Sequence, residues 1–143
     1  MDSNEVATAI RSKFSVTGSP AKVPYIRGAG SFAAELIGTG IKVDNLGTQP
    51  FLPWAVFQET IYVLIRNGIR AERGNAMNYK LGESGLSLDS IEGYVANEVY
   101  SKSEGDSVFR RITPIACILI WAGVCNVEPG ELILTPKKQL RLQ

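Results

Sequence analysis

Histidine is absent from all 143 residues of the chain. Imidazole acid–base catalysis, histidine-dependent triads and imidazole-ligated zinc are thereby excluded. Cysteine is scarce. Cys117 and Cys125 sit in or beside the most apolar segment, a placement that suits buried reduced thiols rather than a disulfide framework. An excess of one charge is missing too: 15 lysines and arginines face 14 aspartates and glutamates, for a formal charge of +1. A dedicated DNA binder usually carries more positive charge. The longest apolar run, Ile112 to Val124, holds about 13 residues against the ~20 of a membrane span. The opening MDSNEVATAIRSKF has early acidic residues and no apolar core, unlike a signal peptide. A cytoplasmic protein without membrane contact is expected.

What is present is ordinary globular material, 45% hydrophobic and 20% charged. Val6, Ala9, Ile10 and Phe14 recur at helical spacing over residues 4–15, with Asp2, Ser3 or Asn4 as cap and Thr17-Gly18-Ser19-Pro20 as stop. A β-like piece at Val23–Ile26 follows, then a short helix over SFAAELI (31–37). The glycine- and proline-rich stretch 38–53 reads as loop, with a short strand at Ile41–Val43. Pro53 opens a helix carrying Val56, Phe57, Ile61, Leu64 and Ile65, and Asn67-Gly68 stops it. IRAER (69–73) and MNYKL (77–81) flank Gly74-Asn75-Ala76 as a hairpin. Asp89 caps a helix from Ser90 to about Ser101. Residues 107–122 are helical by pattern, and Pro114 either kinks that helix or begins a new one capped by Thr113. A second hairpin, 124–127 with 131–134, turns at Glu128-Pro129-Gly130.

Chemistry-bearing constellations are few. Gly28-x-Gly30-x-x-Ala33 echoes a dinucleotide fingerprint, but no βαβ crossover follows, so the glycines read as a tight turn. Glu35, Lys42 and Asp44 lack the spacing of a metal-dependent nuclease, and Glu128, Glu131 and Lys137 read as surface charge. No catalytic residue, metal site or cofactor is assigned, and an enzyme is not expected.

A partial repeat carries more weight. Val56-Phe57 aligns with Val108-Phe109, and LIRNGI (64–69) with LIWAGV (119–124), each glycine preceding a hairpin. Helices, a glycine stop and a hairpin are the order of a winged helix, and the chain resembles the winged-helix superfamily. The fold class expected is α+β, mostly helical: two winged-helix-like units, residues 1–85 and 86–143, packed as one compact body. The resemblance implies double-stranded DNA as partner, with the helix before each hairpin in the major groove and the wing on the backbone or in the minor groove. On the first unit it assigns Gln58, Glu59, Tyr62 and Arg66 to the reading helix and Arg70, Arg73, Asn75 and Lys80 to the wing. Arg66, Arg70, Arg73 and Lys80 also form the densest basic cluster in the sequence. In the second unit Arg110 and Arg111 either meet phosphate or pair with Glu98, Glu104 or Asp106. Cys117, Ile118 and Trp121 fall on its outer side and suit a protein interface or self-association. The tail KKQLRLQ adds three basic residues. A small DNA-binding protein, regulator or recognition subunit, is the function expected. A winged-helix adaptor or accessory subunit without catalytic activity is the alternative.

Overall fold

The structure, a computed structural model, describes residues 3–136. Helix α1 (Ser3–Thr17) leads into an antiparallel meander of β1 (Ala21–Pro24), β2 (Ser31–Ile37), β3 (Gly40–Val43) and β4 (Phe51–Pro53). Then come α2 (Trp54–Arg66), β5 (Arg70–Glu72), a 3-10 turn at Ser84–Leu86, α3 (Ile91–Tyr100), α4 (Ile112–Trp121), β6 (Cys125–Glu128) and β7 (Glu131–Leu134). The last three strands form a second antiparallel sheet in the order β5-β7-β6. One hydrophobic core joins α1, the meander, the three later helices and this sheet. Over the described residues the fold is a compact α+β body with four helices and two antiparallel sheets.

α1 forms where periodicity expects it, with Val6, Ile10 and Phe14 buried. Ser3 and Asn4 already belong to this helix, while Asp2 and the basic tail 137–143 lie outside the described residues. α2 follows Pro53, and β6 and β7 form the hairpin expected across Glu128-Pro129-Gly130.

Three expectations are corrected. SFAAELI is β2, not a helix: Phe32 and Ala34 are buried between the exposed Ser31 and Glu35, a period of two. Pairing with β1 and β3 satisfies both its edges, whereas an isolated seven-residue helix is too short to sustain itself. The hairpin over 69–81 does not form either. Met77, Asn78, Tyr79 and Lys80 are all exposed and only Leu81 is buried, so no alternating face exists to pair. β5 pairs instead with β7, far along the sequence, with Arg70 opposite Ile133 and Glu72 opposite Glu131. Residues 107–111 are not helical, and Val108-Phe109 is no counterpart of Val56-Phe57. α4 begins at Ile112 with Pro114 as its third residue, where no intrahelical N–H bond is forfeited. Pro114 neither kinks the helix nor starts it.

The motif shared by LIRNGI and LIWAGV is nevertheless one device used twice. Gly68 donates to Ile65 O and Ile69 to Leu64 O (3.2 and 2.7 Å); Gly123 donates to Ile120 O and Val124 to Leu119 O (3.0 and 2.9 Å). Both are Schellman closures, with glycine φ values of 81° and 79° that a side chain would strain. Leu134 then donates to Ile69 O and Thr135 to Val124 O (3.0 and 3.1 Å). The two stops thus set β5 and β6 on either side of β7.

Candidate functional site: a cationic cleft

Most of the basic residues singled out in the sequence are already engaged. On α2, Gln58 is half-buried. Tyr62 stacks on Tyr94 (ring centroids 5.8 Å, 20° apart). The Arg66 guanidinium covers both rings at 5.8 and 4.7 Å and donates to Asp89 at 2.9 Å. Arg70 of β5 is claimed by Glu131 and Glu128 at 2.6 and 3.4 Å, and these two acids hold its pKa above the ordinary value. Lys80 is exposed, and the strand expected to carry it does not form.

Arg111 is not a surface cation. It is buried at 6% exposure, its guanidinium 3.6 Å above the Tyr100 ring and 4.8 Å from the Phe109 ring. It donates to Gln49 Oε1 and to the Phe109 carbonyl, tying the loop between β3 and β4 to the approach to α4. Among the described residues neither Arg110 nor Arg111 forms an ion pair with Glu98, Glu104 or Asp106. Cys117 and Ile118 are buried in the protein's own core, so the outer apolar face expected of this helix is covered from within. Half-buried Trp121 meets the Phe14 ring edge-on at 4.9 Å, with Lys13 Nζ 5.6 Å from its centroid. α1 and β1 both pack on α4.

The remaining charge converges elsewhere. A cleft of about 580 Å³ opens between the turn after β1, the segment following β5, the start of α4 and the tip of the last hairpin. Arg27, Arg73 and Arg110 line it, with Asn75, Asn78 and Thr113 between them, and among the described residues none that lines it is acidic. Tyr25, Ile26, Met77 and Ile112 contribute its less polar walls. Arg27 lies outside the basic cluster expected at 66–80; its trace in the sequence is Arg27-Gly28-Ala29-Gly30, a tight turn with the arginine at its mouth.

Backbone bonds fix these walls. Arg73 N donates to Gly130 O (2.8 Å), Glu92 N donates to Arg73 O (3.0 Å), and Arg73 Nη1 donates to the carbonyls of Glu128 and Glu131 (3.0 and 2.8 Å). Its Nε and Nη2 are without a protein partner among the described residues. Burial lowers the Arg73 pKa, and the neighbouring Arg27 cation lowers it further. Arg110 touches Met77 Sδ at 3.8 Å. The side chains of Arg27, Asn75, Asn78 and Thr113 form no hydrogen bond or ion pair among the described residues.

Beneath the cleft, Glu92 of α3 is 3% exposed. Its Oε1 accepts from Ala76 N (3.0 Å), and its Oε2 accepts from Arg111 N and Ile112 N (2.7 Å each). One carboxylate therefore fixes both the 73–78 wall and the first turn of α4. Burial raises its pKa, while the three N–H groups and Arg110 pull it back.

The thiols are poor nucleophiles. Burial raises Cys117, which lies at the back of the cleft, and pushes Cys125 up to about 12. Native protein at pH 8 is expected to resist a maleimide, with both cysteines reacting after denaturation. Stoichiometric labelling of the native form would contradict this. Among the described residues, no group of three or more Cys, Asp or Glu side chains is placed to hold a metal ion. No helix of the described residues is long and apolar enough to cross a membrane. What the arrangement offers is an acid-free, three-arginine concavity suited to an anion. No protein-family model, curated protein or solved structure matches the chain.

Proposed function

We propose that the chain is a nucleic-acid-binding protein without catalytic activity, holding phosphate in the Arg27–Arg73–Arg110 cleft. We also propose that residues 54–134 make a single winged-helix-type unit rather than two in tandem. Helix, strand, two helices and a hairpin, in that order, support this reading, as does a sheet in which β5 and β6 flank β7. The observation that carries the function is the convergence of three arginines on one cleft with no lining carboxylate among the described residues. Like charges gathered without a counterion cost energy unless an anion joins them. Arg66, Arg70 and Arg111 do not contribute, because Asp89, the hairpin acids and the Tyr100 ring already hold them.

Three phosphate contacts set the size of the salt effect. Affinity for nucleic acid is expected to fall roughly 20- to 40-fold between 50 and 200 mM salt, from a log–log slope of about 0.7–0.9 per phosphate neutralised. Fluorescence polarisation across that range measures it. Affinity independent of salt, or no binding at 50 mM, would refute the proposal.

An adaptor role is the second reading, and one feature favours it. Tyr62 and Ile65 lie one turn apart on α2 and are 54% and 37% exposed. Trp121, expected to serve such a contact, is instead committed to Phe14.

A further inference from the structure

Resting on the phosphate reading, the shape of the cleft selects among forms of nucleic acid. A duplex is read by an element that projects into a groove. The helix at the cleft that would have to enter a groove, α4, is packed into the protein. Seven of the ten residues of α4 are buried, with α1 and β1 packed on the helix. The adjoining hairpin carries Glu128 and Glu131, both paired with Arg70, and their carboxylates disfavour a phosphate backbone lying along it.

The cleft itself is concave, and about 580 Å³ falls within the range of pockets that enclose a small organic ligand. A base-paired stack cannot enter such a pocket, whereas one unstacked nucleotide fits. Its lining also has the chemistry that an unpaired base requires. Tyr25 supplies an aromatic ring for stacking. Asn75 and Asn78 supply amides with both donors and acceptors, unused among the described residues, for a base edge that pairing would otherwise occupy. Arg27, Arg73 and Arg110 remain for the flanking phosphates.

We infer that this cleft binds single-stranded nucleic acid, taking an unpaired base against Tyr25 and the asparagine amides with its phosphates on the three arginines. The test is fluorescence polarisation of a labelled 12-nucleotide strand of mixed sequence, the same sequence as a duplex, and a 5′-mononucleotide as competitor. The strand is expected to bind at least ~10-fold tighter than the duplex. Arg27→Ala and Arg110→Ala, both at exposed positions, should each weaken strand binding about 5- to 10-fold and flatten its log–log salt slope by about 0.7, with circular dichroism unchanged. Tyr25→Leu keeps apolar contact with Phe32 and should weaken the strand about 10-fold through loss of the ring. Duplex binding as tight as the strand overturns this inference and leaves the phosphate-cleft reading standing. A mononucleotide that competes as well as the strand, mole for mole, overturns the assignment to a strand. Strand binding indifferent to both arginine variants overturns the site. Absence of binding by either form removes this inference together with the reading beneath it.

Discussion

Glu92→Ala is expected to lower the free energy of unfolding by about 3–5 kcal/mol. The carboxylate is buried and is the acceptor for three backbone N–H groups, from Ala76, Arg111 and Ile112. Truncation strands these donors, and each buried unsatisfied donor costs roughly 1–3 kcal/mol, with partial relief if water enters. It also detaches the 73–78 wall from the start of α4, so nucleic-acid binding should weaken along with stability. Urea unfolding measures the first effect, and a loss below about 1 kcal/mol would show that the carboxylate is not the anchor described. Glu92→Gln isolates the proton. Because burial holds the folded pKa above its ordinary value of 4.5, the folded state binds the proton more tightly than the unfolded state does. Wild type should therefore gain stability relative to the glutamine variant as pH falls through the raised pKa toward 4.5, and gain nothing further below it. A gap that shrinks over that window would reverse the sign assigned to this group.

Gly40→Ala is the second large effect, at roughly 2–4 kcal/mol. Gly40 pairs with Pro53 across β3 and β4. A Cβ there would collide with the Leu52 carbonyl oxygen and lie 2.9 Å from Pro53 Cα. Both obstacles are backbone, so no rotamer change removes them, and the strands must part. β4 runs directly into α2, so the displacement reaches the helix that carries Phe57 and Ile61 in the core. Thermal unfolding by circular dichroism should show a markedly lower Tm; an unchanged Tm would mean that the strand pair is more yielding than its geometry suggests.

Local signals in the sequence were readable where one element settles its own structure. The apolar stripe of α2, its Asn67-Gly68 stop and the turn at Pro129-Gly130 each combine periodicity with a residue of restricted backbone choice, and the structure has all three. SFAAELI was misread because seven residues fit either period, and neighbours on both sides decided for a strand. The partner of β5 was illegible for a different reason: IRAER looks equally like half of a local hairpin, and only tertiary packing assigns it to β7. Counting basic residues along the chain likewise misplaced the cationic surface. Arg66 and Arg70 are neutralised by acids distant in sequence, Arg111 turns into aromatic rings, and Arg27 joins Arg73 and Arg110 only after folding.

The middle position of β7 has a consequence for synthesis. A nascent chain that has emerged only as far as Gly130 possesses the meander, α1 to α4, β5 and β6, yet the strand that joins β5 to β6 is still missing. Until Glu131–Leu134 emerges, both flanking strands present bare hydrogen-bonding edges, the kind that attract foreign strands. Insertion of four residues then closes both edges at once. The same residues bring the Glu131 carbonyl to Arg73, so the cationic cleft acquires its final wall in the step that seals the sheet.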